Sequence, residues 1–312
     1  MQNWQPNTTL ETLRLRAQMF MQVREFFLER GLLEVETPLL DRYTVTDPNI
    51  ESFEVMIGDE KYYLQTSPEY AMKRLIASGS PDIYQICKSF RKSEKGPLHN
   101  PEFTMLEWYR KTFSLQEIMQ EAANLICLLV TRLDQPSYIS YEQACMQVMD
   151  LSLSELTHEK LKSIASEHGL QIQQSFSKDQ LLDFVFTRCV TKTFDKNSLT
   201  IVYQYPSSQA VLAKITQDNP QTAERFEIFC GELELANGYV ELTDHKEQLD
   251  RFQTDLDIRK QRKLPEIDVD YRLIVAQQHG LPDCAGVAVG LDRVLMLIIN
   301  SSDIKDSISF SF

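Results

Sequence analysis

The stretch LHNPEFTMLEWYRK, residues 98–111, reads as a strand from Phe103 onward. At period two, Phe103, Met105, Glu107 and Tyr109 share one face, and Thr104, Leu106 and Trp108 share the other. Both faces are mostly apolar and are expected to be buried. A carboxylate on such a face costs several kcal/mol unless a cation or several donors meet it, so Glu107 calls for a partner.

Just upstream, IYQICKSF reads as a second strand ending at Phe90-Arg91, and residues 92–98, KSEKGPL, form a hairpin-like loop between the two. An arginine at the loop mouth, opposite Phe103 and with His99 nearby, suits a nucleoside triphosphate, with guanidinium on phosphate and ring on base. A surface arginine beside a core phenylalanine is the plainer alternative.

Toward the N-terminus, Thr8-x-x-Glu11 suggests a capping box, and Leu13, Ala17, Phe20, Val23 and Phe27 recur at helical spacing up to Gly31. This predicts a first helix over about 9–30. RGLLEVETPLL then alternates as a short strand that Pro38 stops. FEVMI and KYYLQT are strand-like, and a helix is expected from Pro68 through Ala77. Residues 114–190 are helix-like, richer in Gln, Leu and Ser, and hold few side chains suited to catalysis, so a helical insertion is expected there.

β character returns in LTIVYQYP and in AERFEIFCGELELANGYVEL, where Cys230-Gly231 suits a tight turn and Asn237-Gly238 allows a bulge. A helix is expected over roughly 244–263. The end, CAGVAVGLDRVLMLII, is a small-residue strand leading into an apolar helix. The expected class is α+β, a mixed and mostly antiparallel sheet flanked by helices.

With 312 residues, 43% of them hydrophobic, the chain can bury one sizeable core. The six cysteines show no CxxC spacing and the histidines near them make no zinc pattern, so they read as reduced thiols of a cytoplasmic protein. The N-terminus MQNWQPNTT lacks a basic region followed by an apolar one, and LICLLV and VLMLII are too short to cross a bilayer. A soluble, untargeted protein is expected. A net charge of −13 disfavours a dedicated nucleic-acid binder.

Two further constellations stand out. Glu227 and Glu234 lie on successive strands around the Cys230-Gly231 turn, and Mg²⁺ on a triphosphate takes one or two such carboxylates. A solvated hairpin face is the alternative. Arg293 sits in the first turn of the final helix, where the dipole disfavours a cation, so a phosphate, a stacked base or the neighbouring Asp292 is expected to partner it.

Together these pieces resemble the three signature motifs of a class II aminoacyl-tRNA synthetase catalytic domain of the lysyl type. The first is the opening helix with RGLLEVETP, the second FRKSEKGPLHNPEFTMLEWY, the third GVAVGLDRVLML. TSPEYAMKRL and ERFEIFCGELELANGYVELTD extend the likeness to nearly the whole chain outside 114–190. The catalytic text begins almost at residue 9, so no anticodon-binding domain is expected. In this the chain is similar to the truncated synthetase-like enzymes that ligate β-lysine to a lysine side chain of elongation factor P.

The resemblance implies ATP, Mg²⁺ and a lysine-type amino acid as reactants, elongation factor P as protein substrate, no stable tRNA binding and a homodimer. It places Arg91 on the α-phosphate, Phe103 and Arg293 on the two faces of adenine, and His99 and Asn100 in the nucleotide site. Glu227 and Glu234 are implied as metal ligands. Glu69 is implied for a substrate amino group, Asn237 for its carboxylate, and Glu107, Glu241 and Tyr109 for the side-chain ammonium. Ser67 and Ala288 stand where lysyl-tRNA synthetases usually carry alanine and glycine. Ser93 departs from the family's Arg-Asn-Glu in the second motif, with Glu94 as the residue able to replace that glutamate. A minimal lysyl-tRNA synthetase and a catalytically silent paralogue are the alternatives.

Overall fold

In the computed structural model, which describes residues 4–171 and 176–311, the chain begins with α1 (Leu10–Glu29). This helix buries Met19, Val23, Phe26 and Phe27 along one face. Its N-cap is Thr9, whose hydroxyl accepts from the Thr12 N–H at 3.1 Å, while Thr8 donates to the carbonyl of Asp306. The expected Thr8–Glu11 capping box is thus absent, because the position three residues after the true cap is Thr12. Gly31 follows the helix in the left-handed region, at φ +72°.

β1 (Leu33–Glu34) is shorter than its alternation suggested. β2 (Leu40–Asp41), β3 (Glu54–Ile57) and β4 (Glu60–Leu64) form a separate small sheet ordered β2-β4-β3. Then come α2 (Glu69–Ala77), β5 (Ile83–Phe90) and β6 (Glu102–Lys111), the last two paired antiparallel with Phe90 opposite Glu102. The loop between them is the expected hairpin connection.

The structure departs from the expected helical block at 114–190. α3 (Leu115–Leu129) packs into the main core, and Glu121 on it accepts from the Trp108 indole at 2.9 Å. β7 (Asp134–Ser140) joins the main sheet, whereas α4 (Tyr141–Met149), α5 (His158–Glu167) and α6 (Lys178–Val185) gather around a second cluster. β7 escapes a sequence reading because DQPSYIS is polar and holds a proline. Its pairing with the next strand is a backbone ladder whose register shifts between Asp134 and Ser137, around that proline.

β8 (Ser198–Pro206), β9 (Thr222–Cys230) and β10 (Leu233–Val240) follow, then α7 (His245–Gln261), α8 (Tyr271–Gly280), β11 (Cys284–Gly290) and α9 (Leu291–Ile298). The large sheet is ordered β1-β5-β6-β11-β10-β9-β8-β7. Its two outermost pairs, β1–β5 and β7–β8, are parallel and the rest are antiparallel. Mixed and mostly antiparallel, it matches the expected class.

Alternation now has a physical meaning. Leu106, Trp108, Ile228, Val287 and Val289 point from the sheet into the core shared with α1, α3 and α9. The residues between them, Met105, Glu107, Tyr109, Gly286 and Ala288, line a cavity of about 1040 Å³ on the other face.

Candidate active site

One cross-strand row assembles the centre of this cavity. Gln85 pairs with Glu107, Glu107 with Ala288, Ala288 with Asn237, and Asn237 with Glu227, across β5, β6, β11, β10 and β9. Side chains in one such row stand on the same face of the sheet. Residues far apart in sequence are thereby made neighbours, with Ala288 forming the floor between Glu107 and Asn237.

Glu107 is 3% exposed and receives two neutral donors: the Ser67 hydroxyl at 2.8 Å and the Tyr109 hydroxyl at 2.6 Å. Burial, and next the nearby Glu69, push its carboxyl up to about 7, against the pull of Tyr109 and Ser67. Ser67 also accepts from the Glu69 N–H at the start of α2, at 3.1 Å, so the hydroxyl that replaces alanine joins two carboxylate-bearing elements.

Glu241 lies 1% exposed, yet its cation is one that sequence reasoning misses. The ammonium of Lys73, fully buried on α2, sits 2.5 Å from Glu241 and 2.6 Å from Glu69. Gly286 makes room for this arrangement. A Cβ there would fall 2.5 Å from both Glu241 Oε1 and the Tyr109 ring, closer than real Cβ atoms come.

At the other end of the cavity, Arg91 lies over the Phe103 ring at 5.2 Å and 3.1 Å from Glu94. Ser93 turns away and donates to Glu51, which also holds Lys92 at 2.8 Å. Glu94, not Ser93, therefore stands on the cavity wall. Asn100 is 4% exposed and donates to the Glu102 carbonyl at 2.6 Å.

Arg293 donates to the Glu234 carbonyl at 2.8 Å and to the Leu98 carbonyl at 3.2 Å, and lies 2.7 Å from His99 Nε2. Since the guanidinium only donates, His99 accepts as a neutral ring, and burial and then Arg293 lower its pKa accordingly. Asp292 is not its partner: that carboxylate pairs with Arg16 at 2.6 Å and accepts from the Thr104 N–H.

All the expected site residues except Glu227 line this one cavity: Ser67, Glu69, Arg91, His99, Asn100, Phe103, Glu107, Tyr109, Glu234, Asn237, Glu241, Ala288 and Arg293. Glu227 stands in the same row without reaching the lining, with one oxygen taken by Tyr205 at 2.7 Å and the other by Arg225 at 2.5 Å. Burial raises its carboxyl to about 7, with Arg225 opposing and Glu234 adding to the rise. Asn237 accepts from Arg225 at 3.3 Å and donates to Tyr239 at 3.0 Å. The expected bulge is not at Asn237-Gly238 but between Glu234 and Ala236. Gly238 serves a close approach instead, since a Cβ there would meet the Phe226 ring at 2.5 Å.

The arrangement combines two guanidinium groups and an aromatic ring, at Arg91, Arg293 and Phe103, with a buried, carboxylate-lined slot at Glu69, Glu107 and Glu241. The family model described as tRNA synthetases class II (D, K and N) matches residues 3–312. The chain belongs to this family. It is 40% identical to an elongation factor P–(R)-β-lysine ligase of Haemophilus ducreyi over 99% of this chain and 96% of that protein. It is 41% identical to a protein of the same name from Mannheimia succiniciproducens over 98% and 97% of the two chains. A third, from Pectobacterium carotovorum, is 40% identical over 99% and 97%. The first, second and third motifs of this class II domain lie on α1–β1, β5–β6 and β11–α9. Among the described residues, no helix is long and apolar enough to cross a membrane.

Proposed function

We propose that the chain activates a lysine-type amino acid, β-lysine, with ATP and ligates it to a lysine side chain of elongation factor P in the cytoplasm. The observation that carries the amino-acid class is Glu107, a buried carboxylate met only by hydroxyl donors on the wall of a cavity whose other end holds Arg91 and Arg293. A substrate ammonium supplies the missing cation, and an apolar amino acid would leave the carboxylate unpaired. The whole-length similarity to ligases of that name supports the acceptor.

In the first step the amino-acid carboxylate attacks the α-phosphorus of ATP, the bond to the bridging oxygen breaks, and pyrophosphate leaves an aminoacyl adenylate. Arg91 holds the α-phosphate, Phe103 and Arg293 flank the base, and His99 and Asn100 fix the loop beneath it. Asn237, steadied by Arg225, orients the carboxylate, while Glu69 takes the substrate's backbone amine and Glu107 the side-chain ammonium. In the second step a neutral acceptor amine attacks the adenylate carbonyl, AMP leaves, and the amine loses a proton as the amide forms.

Mg²⁺ would neutralise charge on the triphosphate. Glu234, on the wall and 42% exposed, fits as its ligand, with phosphate oxygens and water filling the rest. Glu227 holds Arg225 and Tyr205, lies close to Glu234, and keeps a free lone pair on each oxygen with which it would join Glu234 as a second ligand. ATP–pyrophosphate exchange tests the reading: exchange that depends on lysine or β-lysine supports it, and none with folded protein refutes it.

Glu94 is placed to serve the nucleotide in place of the missing motif glutamate. Glu94→Gln should raise the KM for ATP about tenfold, roughly 1.4 kcal/mol, while Ser93→Ala changes it by less than about twofold. The reverse pattern in pyrophosphate exchange would assign the role to Ser93.

Ala288 sets the pocket floor between Glu107 and Asn237. Ala288→Gly should shift the β-lysine to α-lysine preference toward α-lysine by about tenfold, since one methyl is worth about 1–3 kcal/mol of discrimination. Equal relative rates in parent and variant would remove Ala288 from specificity.

We also read the chain as a homodimer. Met21 and Leu28 on α1 are 57% and 76% exposed, and Leu33 on β1 is 50% exposed, so the first motif presents apolar side chains to solvent. Light scattering at the mass of one chain would refute this.

A further inference from the structure

Lys73 is 0% exposed and does not line the cavity, and in the proposed mechanism it meets the substrate only through Glu69. Its surroundings are nonetheless those of a working group. From the second turn of α2 it reaches Glu69 and Glu241, at 2.6 and 2.5 Å, and so joins α2 to the end of β10. Burial works against its charge, but the two carboxylates outweigh burial and hold the ammonium above its usual range. Glu241 is raised by its own burial, and Lys73 is the main group opposing that rise.

We propose that Lys73 is a positioning residue that sets the charge of the amino-acid pocket and thereby its preference for substrates carrying two ammonium groups. The inference rests on the amino-acid class proposed for the site. Three buried or half-buried carboxylates, Glu69, Glu107 and Glu241, face one internal ammonium, which leaves two surplus negative charges when all three are ionised. An amino acid with two amines cancels both. One with a single amine leaves a buried charge unpaired, which a low-dielectric site tolerates poorly. Lys73 also distributes the surplus. By engaging Glu69 and Glu241 it leaves Glu107 as the carboxylate with hydroxyl donors alone, and so marks where a substrate ammonium binds most strongly.

Lys73→Met keeps the unbranched stem as far as Cε and removes the ammonium. Glu241 then loses the main group opposing its rise, faces Glu69 with nothing between them, and takes up a proton more readily. The carboxylates must be ionised to hold an amine, so amino-acid affinity in the variant should recover as pH increases. The other titratable groups facing this pair are Tyr70, Glu107, Tyr109, Tyr239 and Cys284, and none is altered by the substitution.

The experiment measures pyrophosphate exchange from about pH 6 to about pH 8.5. Lys73→Met should raise the KM for β-lysine at least about 30-fold at neutral pH, move its pH midpoint up by at least about one unit, and leave the KM for ATP within about twofold. The double variant Lys73→Met/Glu241→Gln removes one cation and one anion, keeps the two surplus charges, and should bring the pH midpoint back toward that of the parent. It is also the arm to use if Lys73→Met alone fails to fold, judged by its thermal transition. An unmoved pH midpoint in the single variant overturns the proposal. So does a double variant whose pH midpoint stays far from the parent's. Exchange by the parent is the control: a parent that exchanges with neither lysine nor β-lysine defeats the functional reading itself, whereas an active parent with unresponsive variants defeats only the role given to Lys73.

Discussion

Replacing Arg91 by alanine is expected to lower kcat/KM for amino-acid-dependent pyrophosphate exchange by about 10²- to 10³-fold. That is roughly 3–4 kcal/mol, the scale of one preorganised donor lost from a site of developing charge. The proposed phosphate role suits the setting of Arg91, which sits over Phe103, is 3.1 Å from Glu94, and has its Nε buried with no acceptor among the described residues. An incoming phosphate supplies that acceptor. Arg91→Lys should restore little, because a compact ammonium cannot reproduce the planar fork of donors. An alanine variant within about tenfold of the parent, with an unchanged thermal transition, would remove Arg91 from the reaction centre.

The second large effect concerns Glu107. Glu107→Gln preserves shape and removes charge, so lysine and β-lysine activation should fall by about 2–3 kcal/mol while the KM for ATP stays within about twofold. The pH dependence carries the same information. In the empty site burial holds Glu107 at about 7, and an ammonium partner favours its ionised form. Above that pH the carboxylate is ready to bind. Below it a proton must first leave, so the parent's amino-acid KM should rise up to about tenfold per pH unit as pH falls through about 7. The glutamine variant should lack this rise. A variant that activates lysine normally would show that another group receives the ammonium. A large loss of thermal stability with unchanged selectivity would make Glu107 a structural, hydrogen-bonded core residue.

The sheet strands and the three motifs are legible in the sequence because their signals are local. Alternation over 103–109 separates core from cavity, and Phe90-Arg91 with HNPEF brackets a hairpin that the register confirms. The neighbour relations are not legible. Nothing near Ala288 or Asn237 in the sequence announces that each lies between the strands that carry the other site residues, because strand order is decided by packing across the whole sheet. The partners of Glu227 are not legible for a related reason. Its spacing from Glu234 across a tight turn suggests a shared site, and the two carboxylates do lie close enough for Glu234 to raise Glu227, but nothing in that spacing announces Arg225 and Tyr205, which take the oxygens of Glu227.

Lys73 escapes notice because a lysine on a helix is ordinarily solvated. Its signal is present in the i, i+4 spacing from Glu69, together with three pocket carboxylates that have only one substrate to neutralise them. A single helical block over 114–190 is too coarse a reading. The apolar stripe of α3 looks like that of any amphipathic helix, and its Glu121–Trp108 contact is what ties it to the catalytic sheet.

Transfer of the activated amino acid to protein is the most direct test. Purified enzyme with ATP, Mg²⁺ and labelled β-lysine is incubated in parallel with elongation factor P and with bulk tRNA, and the label and the intact mass of the factor are followed. The expected result is a mass gain of one lysyl unit on the factor, abolished when its acceptor lysine is replaced by arginine, with no label on tRNA. The net charge of −13 motivates this expectation, since it disfavours long-range attraction of tRNA phosphates and favours a basic acceptor loop. Label on tRNA with none on elongation factor P would contradict the assignment and make the chain a lysyl-tRNA synthetase.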